Sequence, residues 1–482
     1  MKKILFQQIK VYDGTEQHPS ISDVLIDAGR IVEIGQKIPI ADAQVINGAQ
    51  RAIAPGFIDV HTHDDLAIYA RDKNLAKISQ GVTTVVTGNC GISPAPSPLK
   101  IRNQPQPPID LLGSAEEMMF SDFDAYIQTV RDQKCAINLI ALVGHTTLRA
   151  RHMDSFDRPA NDQEIIAMCE DLDLALHQGA WGFSTGLAYA AGKFSSTKEL
   201  RALLNVVKKH DRIWTTHMRD ERTGVVASVA ETIDLCRQTG VRTLISHHKC
   251  CGTAAVGLSK TTLALIDDAR EQGLPLCFDV YPYTASSTVL IPQYVRDSRK
   301  VDITWSQSHP EMAGKDLQDI AREWGIDEMS ALEKLQPGGA IYHQMDDADL
   351  ERIMAHPDAL IGSDGLPNDV RPHPRLWGAF PRVLGHYARD CGLMSLPAAV
   401  SKMTSKSAET FGLSHRGKIE VGHHADLVVF DEQKVLDQAD YADPTKMSSG
   451  IEQVYVAGEL AFADTQITGL FGKVLMPSSP QT

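Results

Sequence analysis

Between residues 53 and 363 the chain repeats one pattern eight times: a short apolar run, followed in most intervals by a stretch of helical periodicity. The runs are Ile53–Val60, Thr83–Gly88, Ile137–Gly144, Ala180–Thr185, Ile213–His217, Thr243–His247, Leu276–Val280 and Ala359–Ser363. Leu200, Leu203, Leu204 and Val207 recur at helical spacing, and so do Val226, Val229, Ala230 and Ile233, with Gly240 closing the second pattern. Another helix is expected from Asp162 to His177, stopping at Gly179. Eight strands alternating with helices predict an α/β fold, a (β/α)8 TIM-type barrel. Such a fold does its chemistry at the C-terminal ends of the strands.

The flanks have a different texture. KILFQQIKVYDG, DVLIDAGRIVEIG and AQVINGA are strand-like runs parted by turn signals such as Asp13-Gly14 and Ala28-Gly29. HADLVVFDE, EQVYVAGELAFAD and GKVLM repeat that texture at the other end. Residues 1–54 and 415–482 are therefore expected to combine into one small β-sandwich domain, with the barrel over 55–414. More than seventy residues separate Tyr281, at the end of the seventh run, from Ala359. They include SSTVLIPQYVRDSRK and a helical stretch at Leu317–Trp324, and they predict a lid insertion over 284–346 after strand seven.

Composition narrows the partners. The chain carries 61 acidic and 47 basic residues, a formal net charge of −14. That balance argues against nucleic acid or an anionic membrane surface, and leaves a small molecule as the expected partner. The only apolar run near the start is Ile4-Leu5-Phe6, too short for a signal-peptide core, and no stretch approaches the ~20 apolar residues of a membrane span. Eight cysteines, with Cys250 and Cys251 adjacent, do not form a disulfide framework. A cytoplasmic protein with mostly buried thiols is expected.

Unusual polar residues stand where the strands end. His61 and His63 follow FIDV, and side chains two apart on a strand share a face. Asp59, one layer lower, is placed to orient an imidazole. His217 ends the fifth run and His247 the sixth. Four imidazoles converging on the mouth of a barrel suit zinc or a related metal. Alternation sends His248 the other way and puts Lys249 on the His247 face. Asp364, in IGSDG after the eighth run, can serve as ligand, general base or proton shuttle. Cys90, after the second run, shares the face of Val86 and Gly88. Taken alone it can be core filler, nucleophile or metal ligand.

PGFIDVHTHDD (Pro55–Asp65), the single histidines after strands five and six, SDG at strand eight and the β-rich termini resemble the amidohydrolase superfamily. Many members bridge two metals with a carboxylated lysine from strand four. Here GAWGFSTGLAYAAG offers Ser184 and Thr185 and no lysine before Lys193. The missing lysine argues against a cyclic-amide hydrolase of the hydantoinase or dihydroorotase kind. QGVTTVVTGNCGIS, THMRDE (Thr216–Glu221), SHHK (Ser246–Lys249), YPYTASST and SDGLPNDVRPHPRLWGAFPRVLG are closely similar to the D-aminoacylases.

That resemblance implies a tight zinc held by Cys90, His217 and His247, and a second, weaker metal position drawing on His61, His63 and Asp364. It implies hydrolysis of an N-acyl-D-amino acid to a carboxylate and a free D-amino acid. Asp364 would take a proton from the attacking water and pass it to the leaving nitrogen. The substrate α-carboxylate would meet Lys249, Tyr281 and Arg375, with Tyr283 the alternative to Tyr281 and with Arg219 and Arg371 as weaker candidates. Val289, Leu290 and Ile291 favour a neutral or hydrophobic D-side chain over an acidic one, while Arg296 keeps N-acyl-D-glutamate and N-acyl-D-aspartate open. A non-catalytic relative is disfavoured because every expected metal ligand stands.

Overall fold

A computed structural model describes residues 2–39, 42–97, 107–113, 117 and 120–477. Each of the eight apolar runs overlaps a parallel strand. The strands are Phe57–Asp59, Val82–Thr87, Asn138–Ala141 (resumed at Val143–Gly144), Gly182–Gly186, Ile213–His217, Arg242–Ile245, Leu276–Val280 and Ala359–Ile361. They pair in chain order, the first three in one sheet and Val143–Gly144 onward in a six-stranded one. Beyond the strand ends Thr62 bridges Gly365 in parallel register, and the Asp364 N–H donates to the His61 carbonyl at 2.7 Å. The last strand is thereby joined to the first.

The helices between them bury the faces the periodicity marks. Thr197–Lys209 buries Leu200, Leu203, Leu204 and Val207, and the Ser196 side chain caps it by accepting from the Glu199 N–H. Asp162–His177 starts in a capping box of Asn161 and Glu164. Val225–Thr239 ends at Gly240, whose φ of 64° is the left-handed turn that favours glycine.

The first run is two strands. Ala52–Pro55 pairs with Leu427–Phe430 and with Lys10 and Val11, whereas Phe57–Asp59 opens the parallel series. Gly56 divides them, because a Cβ there would lie 2.2 Å from Thr83 Cγ2. Ala52–Pro55 is one of nine strands in a sheet built from both chain ends, which also holds Lys3–Val11, Ser20–Asp27, Arg30–Gly35, Ile451–Val456 and Glu459–Ala463. Phe6, Ile9, Val24, Ile53, Leu427 and Val429 fill a core of its own. GKVLM does not join this sheet. Gly472 bridges Cys135, and the Leu139 N–H donates to the Lys473 carbonyl at 2.9 Å, so the segment supplies partners to backbone groups beside the third parallel strand.

The long insertion is a folded unit. Ala285–Val289, Gly338–His343 and Val301–Ser306 form an antiparallel sheet with the second of these in the centre. Leu317–Trp324 and Glu328–Leu335 pack on it through Leu317, Ile320 and Leu332, around Leu290, Ile303 and Tyr342. Among the described residues no helix is long and apolar enough to cross a membrane, and all eight cysteines are free.

Candidate metal centre

Three of the expected ligands leave their strands through an inverted backbone. Cys90, His247 and Asp364 have φ of 53°, 37° and 48°, the left-handed region that non-glycine residues avoid. Each such residue costs about 1–3 kcal/mol and persists only where its surroundings hold it. Strand alternation therefore does not carry Cys90 into the site. The second strand closes at Thr87, and the chain turns at Gly88, with φ 77°, before reaching the cysteine. Gly88 is needed because a Cβ there would lie 2.2 Å from the Leu142 carbonyl oxygen of the neighbouring strand connection. His247 lies two residues beyond its strand, with its N–H donating to Asp279 Oδ1 at 2.9 Å.

The turns bring four donors to one point. Ligand atoms of His61, Cys90, His247 and Asp364, all buried, lie within 4.8 Å of one another. Cys90 Sγ is 3.3 Å from His61 Nε2 and 3.3 Å from His247 Nε2. Asp364 Oδ1 is 3.5 Å from His61 Nε2 and 3.3 Å from His63 Nε2. His217 stands one step aside, its ring 4.4 Å from that of His247 and its Nε2 3.4 Å from Glu221 Oε2. With Glu221 and His247 it makes a second group of close donors, so His247 belongs to both.

The charges sort themselves within this cluster. Burial works to raise the Cys90 thiol, but the charges of His61 and His247 and a hydrogen bond from His247 outweigh it and hold the thiol well below its usual value. Burial likewise opposes ionisation of Asp364, and Arg375, His247 and His63 overcome it. His63 is lifted to about 9, its burial outweighed by hydrogen bonds to Asp364 and Cys90. Burial dominates at His217 and lowers it, favouring the neutral ring. Two anions facing four imidazoles attract positive charge, either as protons or as a metal.

The expected substrate residues border the same space. Tyr281 lies between two cations, with Arg375 Cζ 4.5 Å and Lys249 Nζ 5.7 Å from its ring centre. Arg375 Nη2 is 2.9 Å from Asp364 Oδ2, while its Nε and Nη1 and the Tyr281 hydroxyl are buried without hydrogen-bond partners. Lys249 is 2.7 Å from Glu221 Oε1. Tyr283 turns elsewhere, beneath Arg382 and 3.5 Å from Asp437 Oδ2. Arg219 pairs with Glu231, and Arg371 is exposed and donates to the Ala442 carbonyl. His248 packs away from the cluster against Thr262, its pKa pushed down to about 4 by burial. Leu290 belongs to the core of the insertion and Arg296 is exposed, while Val289 and Ile291 pack in one apolar cluster with Cys90 and Tyr189.

Asp59 does not orient an imidazole. Its carboxylate takes the Ser363 N–H at 2.9 Å and Lys77 Nζ at 2.9 Å, tying the first strand to the last. The carboxylate beside the His61 ring is Asp279, 3.3 Å from Nδ1. Sequence reasoning missed Asp279 and Glu221. An aspartate inside the apolar run LCFDV was the available signal for one, and a glutamate four residues after His217 for the other.

The architecture and the cluster can now be set beside known proteins. The amidohydrolase family matches residues 44–212 and 196–462. A D-aminoacylase from Alcaligenes xylosoxydans xylosoxydans is 44% identical over 464 residues, covering 96% of this chain and 95% of its own. The chain belongs to the D-aminoacylase family of amidohydrolases. An N-acyl-D-glutamate deacylase from the same organism is 43% identical, covering 96% of this chain and 94% of its own. The crystal structure of a Bordetella bronchiseptica N-acyl-D-glutamate deacylase, complexed with zinc and a phosphonate inhibitor, matches with a TM-score of 0.94 and 43% identity. It covers 99% of this chain and all of the other. A dihydropyrimidinase from Brevibacillus agri, at 17% identity and a TM-score of 0.64, shares the fold alone.

The amidohydrolase cluster here fits a zinc ion on its own chemistry. A thiolate with imidazoles is a borderline-soft donor set of the kind zinc prefers. Both ring nitrogens of His217 and Nδ1 of His63 are buried without hydrogen-bond partners. Asp279 on the far nitrogen of His61 is the carboxylate–histidine arrangement that supports metal ligands.

Proposed function

We propose that this chain is a zinc-dependent hydrolase of N-acyl-D-amino acids, releasing a carboxylate and the free D-amino acid. The observation that carries this reading is the meeting of His61, Cys90, His247 and Asp364 within 4.8 Å, beside an arginine with two unpaired buried donors. The relatives at 43–44% identity are named for such deacylations.

In this reading Cys90, His217 and His247 hold the tight zinc, and His61, His63 and Asp364 contribute a second, weaker position. When bound, zinc supplies Lewis acidity that activates water near neutral pH and polarises the amide carbonyl. Asp364 is the proton carrier. Arg375 holds Oδ2, and Oδ1, which faces His61 and His63, is the oxygen that would accept the proton of the attacking water and deliver it to the leaving nitrogen. Arg375 Nε and Nη1 form a fork for the α-carboxylate, the buried Tyr281 hydroxyl adds a donor, and Lys249 adds charge.

The same reading takes residues 55–414 as a closed (β/α)8 barrel, the chain ends flanking it, apart from the GKVLM segment, as a small β-sandwich domain, and 284–346 as a lid. The parallel strand order and the Thr62–Gly365 bridge support closure. Ser286, Ser287 and Thr288 of the insertion line a pocket with His217 and Asp364, which supports the lid. A small-molecule substrate in a cytoplasmic setting accords with the acidic charge and the eight free cysteines.

Turnover of N-acetyl and N-formyl amino acids in D and L forms, with zinc counted per chain, tests the proposal. Hydrolysis of D substrates with at least one zinc per chain is expected. Preference for L substrates, or full activity after the metal is chelated away, would overturn it.

A further inference from the structure

We infer that Arg222 sets the side-chain specificity of this site and selects a D-amino acid whose side chain ends in a carboxylate. The inference rests on the deacylase reading above. With the α-carboxylate at Arg375 and the amide at the metal ligands, the side chain is the remaining substituent on the substrate Cα. It must meet what is left of the pocket wall. Apart from the metal-binding residues and the Lys249–Glu221 pair, that wall holds Arg222 as its one cation, with Tyr189, Cys251, Tyr294, Gln344 and the hydroxyls of residues 286–288.

Arg222 is held rather than free. Its Nε donates to Asp297 Oδ2 at 2.7 Å and its Nη2 to Gln344 Oε1 at 2.9 Å. Gln344 is fixed in turn by donating to Ser286 Oγ at 2.7 Å. The guanidinium lies 4.5 Å over the Tyr294 ring, and the side chain is 11% exposed. Asp297 anchors the group without forming part of the pocket wall. These contacts use two of five N–H donors and leave the Nη1 edge unengaged. An arginine already fixed in one rotamer with a free edge binds a carboxylate without the entropy cost of ordering a flexible chain. An apolar side chain in its place would strip water from the guanidinium and return no hydrogen bond.

The test compares N-acetyl-D-glutamate with N-acetyl-D-methionine on the zinc-loaded enzyme. Native protein is expected to favour the glutamate compound. Arg222→Met should cut kcat/KM for it about tenfold to a hundredfold, mostly through KM, and leave the methionine compound unchanged or improved. Arg222→Lys, which keeps the charge and loses the fork, should fall between. A native preference for methionine overturns the inference, and so does an Arg222→Met loss shared equally by both substrates, which marks a structural role. Those results leave the deacylase reading intact. Failure to hydrolyse any N-acyl-D-amino acid removes that reading and the inference together.

Discussion

Two buried ionic clusters in this molecule are built from the same kinds of residue and do different things. In one, His145, Arg149 and Glu199 are fully buried, with Arg149 Nη1 2.6 Å and His145 Nε2 2.8 Å from Glu199 Oε1. In the other, His61, Cys90, His247 and Asp364 converge below the pocket. Both shift pKa values. Burial works to raise Glu199, yet its bond to His145 and the charges of His145 and Arg149 bring it down to about 2. Burial and perturbed titration therefore do not distinguish a site from a strut. Backbone and donor chemistry do. His145 and Arg149 lie on the regular helix His145–His152 and Glu199 on Thr197–Lys209, while Cys90, His247 and Asp364 are each held at positive φ. Arg149 is locked on Glu199 through Nη1 and on the Arg158 carbonyl through Nη2, whereas a thiolate among imidazoles is the kind of donor set zinc prefers.

The sharpest way to break this contrast is Asp364→Ala. Turnover is expected to fall by about a hundredfold to ten-thousandfold, with tight zinc retained, measured by steady-state kinetics and metal analysis on the same sample. Near-normal turnover would remove Asp364 from the chemistry. Cys90→Ala should lower tightly bound zinc from one per chain to none and abolish activity with it. Glu199→Ala should do the reverse. Leaving Arg149 buried and unpaired costs about 3–5 kcal/mol of stability in denaturant titration, while kcat/KM of the protein still folded stays near native.

The same glutamate has a pH signature. Its folded pKa lies below its ordinary value of 4.5, so its contribution is complete above that value. It is lost as pH falls through about 2. Native protein should therefore lose stability over that acid range more steeply than Glu199→Gln does. At the bottom of the scale, Lys198→Ala removes an exposed pair with Asp162 and should change stability by less than about 0.5 kcal/mol.

Much of this was legible before the structure. The eight strands and the helices at 162–177, 197–209 and 225–239 follow from periodicity, because local burial sets it. The metal-ligand candidates were visible because they stand just past apolar runs. Less visible was how they arrive. On paper alternation continues through Gly88 to Cys90, and only a neighbouring carbonyl, that of Leu142, shows why the chain must turn there. Ile53–Val60 looked like one strand because apolar residues do not reveal which sheet they bury against. Asp279 and Arg222 depend on partners 32 to 218 residues away, His247, His61 and Gln344, and no local pattern encodes such meetings.

The central claim is that the inverted backbone at residue 90 presents a thiolate to a zinc ion. X-ray absorption at the zinc edge of the purified protein tests it most directly. One sulfur scatterer at ~2.3 Å with nitrogen or oxygen at ~2.0 Å is predicted, the sulfur vanishing in Cys90→Ser. A shell of nitrogen and oxygen alone in the native protein would contradict it.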